Sequence, residues 1–153
     1  MIAMSIKGET KKVEIQRIRK FKTKQFYPET MGKPEHHIDN EFCMAVRAGN
    51  HIFLRGQTGF DLDGNFHGIG NVKEQAEMAC TCVKQLIEEA GGTVKDICKI
   101  TVYLMNREDR SKVYPVIAKH FKDVYPCSTG LLVSGFAMPE MLMEIDVEAI
   151  ISE

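Results

Sequence analysis

The segment Met141-Leu-Met-Glu-Ile-Asp-Val-Glu-Ala-Ile-Ile151 decides the fold of this chain, together with Tyr125-Pro-Cys-Ser-Thr-Gly-Leu-Leu-Val-Ser-Gly-Phe136 before it. Each segment has the length and the apolar content of a β-strand. Pro139 lies in the connection between them, where a turn is expected. The two strands are therefore predicted to form a hairpin at the end of the chain. Gly130 marks a position where a ligand or another backbone can approach closely.

The second strand is predicted to carry three carboxylates on one face. Side chains alternate along a strand, so Glu144, Asp146 and Glu148 point to the same side. The other face carries Ile145, Val147 and Ala149. Like charges on one strand face repel one another unless water, cations or hydrogen-bond donors relieve them. Two interpretations stay open from this pattern: a solvated edge, or an acidic strand that lines a cleft.

Length, charge and cysteine content restrict the class of protein. A chain of 153 residues has the size of one domain with a real core. Its 20 basic residues nearly balance its 21 acidic ones, which disfavours nucleic acid as a partner because such binders usually carry a basic excess. No apolar run reaches the ~20 residues of a membrane span, and the N-terminus has no secretion signal. The five cysteines are irregularly spaced, which predicts a reducing, cytoplasmic environment.

No group of residues predicts a metal site. Cys80 and Cys82 are two positions apart on a predicted helix, so they point in different directions and are interpreted as small core residues. His36 and His37 are adjacent in a predicted loop, and adjacent histidines seldom chelate one metal without further ligands. Residues 61–65 resemble a calcium loop, but the glycine and glutamate of that motif are missing from their positions, so a turn is predicted.

The N-terminal quarter is predicted to be an extension of the main domain. Residues 1–10 are polar and are expected to be frayed. Residues 12–21 alternate apolar and charged positions, which predicts an edge strand guarded by lysine and arginine. Two prolines and a glycine predict a loop over residues 22–40. The chain is therefore divided into an extension, residues 1–40, and a single domain, residues 41–153.

The central part of the chain predicts strands and helices in alternation. The predicted strands are residues 43–47, 51–55 and 96–104, and the predicted helices are residues 72–90 and 113–122. Asn71 is the expected N-cap of the first helix, Glu74 is its capping-box partner, and Gly91-Gly92 ends the helix. Cys98 is placed on the apolar face of the third strand. Pro115 fits the second helix only in its first turn, where no amide hydrogen bond is lost.

This order of elements predicts an α+β fold, a mixed sheet with both helices on one face. The late strands carry apolar residues on both sides, and no third helix is available to cover the second face. These residues include Leu131, Leu132, Val133 and Phe136. A symmetric oligomer that packs these faces together is the simplest way to cover them.

Five segments keep the order and spacing of one known family. They are Val46-Arg-Ala-Gly-Asn-His-Ile-Phe-Leu-Arg-Gly-Gln57, Gln75–Ala90 with Gly91-Gly92, Asp96–Tyr103, Tyr125-Pro126 and Glu144–Ile150. In combination they resemble the Rid superfamily, also called the YjgF proteins, over about residues 42–152. The resemblance implies a chorismate-mutase-like fold and a homotrimer with clefts between subunits. It also implies a small-molecule substrate and no cofactor, because the best-studied members hydrolyse imines and enamines to keto acids and ammonia without one.

The resemblance transfers the position of the cleft better than its chemistry. In the deaminase subgroup an arginine after the Tyr/Phe-Pro-small motif binds the substrate carboxylate, whereas this chain has Ser128 there. The next two cleft positions are kept as Thr129 and Gly130. The glutamate that positions the attacking water corresponds to the shorter Asp146, with Glu148 as a second candidate because the register is uncertain by a residue or two.

Three further cleft positions follow from the resemblance, and one candidate follows from the residues. Phe42 stands where the family has a tyrosine, Tyr114 where it has an asparagine, and Gly56 matches a cleft glycine. Arg55 ends a predicted strand just before Gly56, and its planar fork suits a carboxylate. Arg55 is therefore a candidate to replace the missing arginine from another wall of the cleft, although a surface cation at a strand end is the alternative.

Three functions are compared from these residues. Hydrolysis of a small imine, enamine or related carbon–nitrogen bond needs a carboxylate to orient water and donors to meet the charge of the substrate. Binding of a metabolite without chemistry is favoured by the missing arginine and the shortened acid. RNA cleavage, an older label attached to this family, is disfavoured because His51, His67 and His120 lie on different elements and no basic, aromatic patch is evident.

Overall fold

The structure is a computed structural model, and it describes residues 12–152. The predicted fraying of residues 1–10 lies outside that range. The described chain forms one six-stranded sheet in the order β1-β2-β3-β6-β4-β5. The strands are β1 (Ile15–Lys22), β2 (Glu41–Ala48), β3 (His51–Leu54), β4 (Ile97–Leu104), β5 (Cys127–Leu132) and β6 (Met143–Ile150), and the helices are α1 (Thr23–Phe26), α2 (Val72–Glu89) and α3 (Arg110–His120).

The predicted terminal hairpin is wrong, although both of its strands exist. β6 pairs antiparallel with β3 and β4, whereas β5 pairs parallel with β4 on the opposite side. β4 therefore lies between the two strands that were expected to pair. The physical reason is that β4, α3 and β5 form a crossover unit, and a helical connection returns the chain parallel to the strand it left.

The face alternation of β6 is confirmed. Met143, Ile145, Val147 and Ala149 are buried, while Glu144 and Asp146 are partly accessible and Glu148 is exposed. The buried side chains pack under α2, which also contacts β3, and α3 packs beside α2. The sheet thus carries both long helices on one face, as predicted. We call the other face the open face.

Helix α2 follows its sequence signals closely. Its apolar stripe is buried, and it consists of Val72, Ala76, Ala79, Val83, Leu86 and Ala90. The Asn71 side chain accepts a hydrogen bond from the Glu74 amide, so the N-cap is confirmed. The capping box is not completed, because the Asn71 amide donates to the carbonyl of Gly68 instead of to Glu74. Gly91 ends the helix with a φ of 86°, a left-handed value that suits glycine.

Helix α3 begins earlier than predicted. A 3-10 turn, Arg107–Asp109, leads into it, so Pro115 lies inside the helix and not in its first turn. Pro115 is exposed, so water can satisfy the carbonyl whose amide partner is missing. Burial of Val113 and Ile117 on the opposite side favours the longer helix despite this loss.

Cys98 is exposed, not buried as the alternation of β4 predicted. The β4–β6 register shifts between Ile97 and Lys99, so one residue of β4 has no partner opposite it. Ile97 takes the core position in place of Cys98. A local bulge of this kind reverses the face of every residue before it, which sequence alternation alone does not reveal.

The N-terminal region joins the same sheet. β1 is an edge strand paired antiparallel with β2, as expected for residues 12–21. Residues 22–40 are not wholly a loop, because they contain α1 and a 3-10 turn, Pro34–His36. Phe26 of α1 and Met31 are buried, so this region adds to the core. The division into an extension and a main domain stays a prediction.

The open face keeps apolar side chains accessible in the single chain. Phe53 of β3 is 42% exposed, and its neighbour across the β3–β6 pair is Glu148. Ile150 is 42% exposed and Leu131 is 48% exposed. The expected oligomer would cover these residues, and the homotrimer stays a prediction.

Candidate functional site

Arg55 lies just after β3 and is surrounded by aromatic rings from the N-terminal region. Its guanidinium carbon lies 5.4 Å from the ring centre of Phe21, 5.8 Å from that of Phe26 and 5.7 Å from that of Tyr27. One of its nitrogens donates a hydrogen bond to the Tyr27 hydroxyl. A cation over aromatic faces is attracted by their negative π-surfaces. Arg55 is therefore fixed in place before any ligand arrives.

Glu144 of β6 lies directly over Gly56. The carboxylate of Glu144 occupies the space that a Cβ at position 56 would need, so a larger residue there would displace the Glu144 side chain. Burial raises the pKa of Glu144 above its usual value, and the neighbouring charge of Asp146 adds to the increase. The positive charge of Arg55 offsets part of this increase. The Glu144 carboxylate, on the open face, therefore binds a proton more readily than an ordinary glutamate does.

Asp146 and Glu148 both face the open side of the sheet, but their surroundings differ. The Tyr103 hydroxyl of β4 donates to a carboxylate oxygen of Asp146 at 2.9 Å. This bond raises the pKa of Tyr103, with a further contribution from burial, so the phenol keeps its proton. Glu148 pairs with His51 at 3.8 Å, and its side chain is 48% exposed. Asp146 is thus the better-ordered of the two predicted catalytic carboxylates.

A cleft of about 830 Å³ opens beside Arg55. Its walls come from β1, from Gln25 of α1 and from the first residues of β2, including Phe42. Phe42 is 52% exposed and lies 6.3 Å from the ring of Phe21. The structure therefore brings together three of the predicted substrate-binding residues: Phe42, Arg55 and the adjacent Gly56. We call these three residues, with Glu144 and Tyr27, the Arg55 cluster.

The other predicted binding residues lie together at β5, the far edge of the sheet. The Tyr114 hydroxyl of α3 lies directly over Gly130, so a side chain at that position would displace Tyr114. Arg110, one helical turn earlier, has its guanidinium 4.5 Å from the Tyr114 ring centre, and its Nη1 is 2.8 Å from where a Cβ on Gly130 would be. Ser128 and Tyr114 line a smaller cleft of about 430 Å³. We call Arg110, Tyr114, Ser128 and Gly130 the β5 cluster. Thr129 also lies on β5, but it points to the other face of the sheet, where its neighbour on β4 is Thr101 and the next residue, on β6, is Asp146.

The two clusters do not meet within one chain. The Arg55 cluster is at the β1–β2–β3 end of the sheet, and the β5 cluster is at the opposite edge. Asp146 lies on β6, between them in strand order. The residues that the sequence predicted for one site therefore form two separate half-sites in the single chain.

Sequence reasoning missed several residues of these half-sites. Glu144 was placed on the correct face but was not selected, although the same alternation that selected Asp146 includes it. Arg110 could have been found from its position four residues before Tyr114, because residues at that spacing are neighbours on a helix. Tyr27 and Tyr103 carried no local signal, since their roles depend on contacts with distant residues.

The residues that were excluded from chemistry have structural roles. Cys80 and Cys82 are buried, and burial raises their pKa to about 12 and about 11, which keeps both thiols protonated. Asp61 forms the predicted turn by accepting hydrogen bonds from the amides of Asp63 and Asn65. Between residues 12 and 152, no group of three or more His, Cys, Asp or Glu side chains is arranged to hold a metal ion.

Comparisons with known proteins define the class of this protein. The model of the family described as Endoribonuclease L-PSP matches residues 35–151. A RutC family protein of Pyrococcus abyssi is 32% identical over 109 residues, which cover 71% of this chain and 84% of that protein. A 2-iminobutanoate/2-iminopropanoate deaminase of Dermatophagoides farinae is 24% identical over 110 residues, covering 72% of this chain and 84% of that protein.

Solved structures share the α+β fold. A protein of unknown function of the conserved Rid family from Yersinia pestis matches with a TM-score of 0.70 at 21% identity, covering 90% of this chain and all of that chain (100%). A Pseudomonas aeruginosa protein of unknown function matches with a TM-score of 0.68 at 25% identity, covering 92% and 94% of the two chains. The protein is therefore an α+β protein of the Rid type. It belongs to the Endoribonuclease L-PSP family, and thus to the Rid superfamily.

Two observations bear on the location of the protein. No helix within residues 12–152 is long and apolar enough to cross a membrane. A Saccharomyces cerevisiae relative, 26% identical over 112 residues, is named as mitochondrial. The cytoplasmic location stays a prediction from the cysteine content.

Proposed function

We propose that this protein hydrolyses a small imine or enamine to a carbonyl compound and ammonia, in a cleft completed by a second copy of the chain. The observation that carries the proposal is the pair Glu144 and Asp146, two carboxylates on one strand face next to a fixed guanidinium. Acid–base catalysis needs one carboxyl that holds a proton and one that accepts it. The raised pKa of Glu144 suits the first role, and the hydrogen-bonded Asp146 suits the second.

The reaction can be written from these groups. Asp146 orients a water molecule and accepts its proton while the oxygen forms a bond to the imine carbon. The electrons of the C=N bond move to nitrogen, and protonated Glu144 gives its proton to that nitrogen, which completes a neutral tetrahedral carbinolamine. Asp146 then passes the proton that it took from water to the nitrogen, while the Glu144 carboxylate takes the proton of the hydroxyl group. The C–N bond breaks, ammonia leaves as the carbonyl forms, and both carboxyl groups return to their starting states. Arg55 stabilises the negative charge of a carboxylate on the substrate.

The second copy is proposed because each chain holds only half of the predicted site. A symmetric ring places one surface of a subunit against a different surface of its neighbour. In such an arrangement the Arg55 cluster of one subunit faces the β5 cluster of the next. Arg110 then provides a second guanidinium near Ser128, at the position where the family arginine is absent.

The names of the relatives support this reaction class without fixing the substrate. One relative is named for the deamination of 2-iminobutanoate and 2-iminopropanoate, which are small imino acids. The alternative function, binding of a metabolite without chemistry, rests on Ser128 and Phe42. Neither residue supplies the guanidinium or the phenol that the resemblance leads one to expect at its position.

The test is to generate 2-iminobutanoate in solution and to measure keto acid and ammonia release by the purified protein. We expect both products in equal amounts, at a rate that Asp146→Asn reduces about 100-fold because the water is no longer deprotonated. Glu148→Gln is the matched control, since it removes a carboxylate from the same strand face at a more exposed position, and it should change the rate less than about threefold. Thermal stabilisation by an imino or keto acid that is recovered unchanged would instead support the binding function.

A further inference from the structure

The cleft beside Arg55 is unusually rich in cations for a protein without a basic excess. Arg17, Lys20 and Lys22 of β1 line it together with Arg55. The whole chain carries a formal charge of −1, so this local concentration of positive charge is a product of the fold. β1 contributes three of these four cations.

Few carboxylates oppose these cations. Glu41 is the acidic side chain among the residues that line the cleft, and it lies 3.6 Å from Lys22. Within residues 12–152, Arg17 and Lys20 form no ion pair, whereas Arg19 on the same strand is paired with Glu89 at 2.8 Å. Arg55 has no ion-pair partner in this part of the chain either, although its charge acts on Glu144 at longer range. The cleft thus contains several positive charges that a ligand could neutralise.

The cleft is also larger than a small imino acid requires. Its volume is about 830 Å³, within the range of sites that hold drug-sized ligands. Phe21 and Phe42 line it, and Phe42 exposes about half of its surface. Exposed rings beside cations provide a flat apolar surface for the body of a ligand and charges for its anionic groups.

We propose that this cleft binds a small organic molecule with two or more negative charges, such as a tricarboxylate or a phosphate ester. The inference rests on the proposed function in one respect: Arg55, which lines this cleft, is also the group proposed to bind the carboxylate of the substrate. Arg55 binds one anionic group close to Glu144, and the β1 cations Arg17 and Lys20 bind the other at the mouth of the cleft. Lys22 remains paired with Glu41.

RNA is the other polyanion that a basic, aromatic surface can bind. The open face next to Arg55 disfavours it, because Glu144, Asp146 and Glu148 would repel a phosphate backbone that continued across the sheet. A small ligand avoids this repulsion since it stays within the cleft. Affinity should therefore rise with the length of the ligand if the cleft binds RNA, and it should not if the cleft binds a small molecule.

The experiment is calorimetric titration of the full-length protein with citrate, with pyrophosphate and, for comparison, with acetate. We expect citrate and pyrophosphate to bind at least about 10-fold more tightly than acetate, and the double variant Arg17→Ala/Lys20→Ala to weaken that binding about 10-fold. The matched control is Lys73→Ala/Lys95→Ala, which removes the same charge from exposed positions outside the cleft. The control should weaken binding less than about twofold, since screened distant charges act weakly.

Three results would overturn the proposal. The first is equal affinity for acetate and citrate, and the second is equal weakening by the two double variants, which would show an effect of net charge only. The third is affinity for single-stranded oligonucleotides that exceeds the affinity for citrate and rises with their length, which would assign the cleft to RNA. If the wild-type protein binds citrate but does not turn over imino acids, only the proposed reaction is overturned. Failure of the proposed reaction and failure of the proposed ligand class can therefore be distinguished.

Discussion

The two half-sites each contain an arginine next to a tyrosine, but they hold it differently. Arg55 is half-buried, and three rings and a hydroxyl fix its guanidinium. Arg110 is exposed and lies over the single ring of Tyr114. Ordering a long side chain costs conformational entropy, and Arg55, which has more partners, has lost more of that freedom on folding than Arg110. The Arg55 half-site is therefore the more preorganised of the two within one chain.

We expect the largest loss of activity when the preorganised arginine, Arg55, is removed. We expect Arg55→Ala to lower kcat/KM for 2-iminobutanoate about 100-fold, because a fixed guanidinium loses no entropy when it binds a carboxylate. Arg55→Lys should recover only part of this loss, since an ammonium lacks the planar fork. The measurement is steady-state keto acid formation, with the melting temperature of each variant as the check on folding. A loss no larger than that of the exposed Arg107→Ala would show that Arg55 has no role in the reaction.

Removal of the exposed arginine, Arg110, should have a smaller effect. We expect Arg110→Ala to lower kcat/KM about 10-fold, because binding by Arg110 must first order its side chain. The melting temperature should change little, since Arg110 is exposed and its only described partner is Tyr114. Steady-state rates at several substrate concentrations provide the test. An effect of Arg110→Ala that equals or exceeds that of Arg55→Ala would reverse the proposed order of the two half-sites.

Mixing the two variants tests whether the half-sites come from different chains. Neither Arg55→Ala nor Arg110→Ala subunits contain both arginines, but a mixed ring can join an intact Arg55 cluster to an intact β5 cluster. After co-refolding in equal amounts, we expect activity to recover to about a quarter of the wild-type value, the statistical share of intact contacts. Activity that stays at the level of the separate variants would place the site within one chain.

The smallest expected effect is a pH dependence of stability from Glu144. Burial raises its pKa, so the folded state binds the proton more tightly than the unfolded state. Its contribution to stability is complete below the ordinary carboxyl pKa and is lost as pH rises through the higher folded value. Glu144→Gln removes this loss, so its melting temperature relative to wild type should rise by a few degrees between about pH 4 and pH 7. Glu148→Gln is the control, and an equal rise in that variant would contradict the assignment to Glu144.

The sequence predicted the elements better than their pairing. The alternation on β6 and the stripe on α2 are confirmed because both follow from the local geometry of a strand and a helix. The hairpin of β5 and β6 failed because adjacency in sequence competes with the crossover through α3, and β4 lies between the two strands. The predicted burial of Cys98 was wrong for a different reason. A bulge in β4 moves this residue to the other face of the strand, and no feature of the residue itself indicates the bulge.

The sequence predicted which residues belong to the candidate site, but it did not predict their relative positions in space. Phe42, Arg55 and Gly56 were expected in one cleft and lie together, and the same holds for Tyr114, Ser128 and Gly130. That these form two groups at opposite ends of the sheet follows from strand order, which no local pattern encodes. Whether they meet depends on assembly, and the mixing experiment addresses that point.

The amino-acid sequence by itself determined where the strands and helices lie, which strand face carries the carboxylates, and which family the chain resembles. These properties depend on residues close in sequence or on the order of motifs along the chain. It is the tertiary structure that brings Tyr27 to Arg55 from 28 residues away and places Glu144, partly buried, over Gly56. The physical reason is that burial and charge depend on distance in space, so the pKa of Glu144 and the fixed position of Arg55 arise only when distant segments pack together.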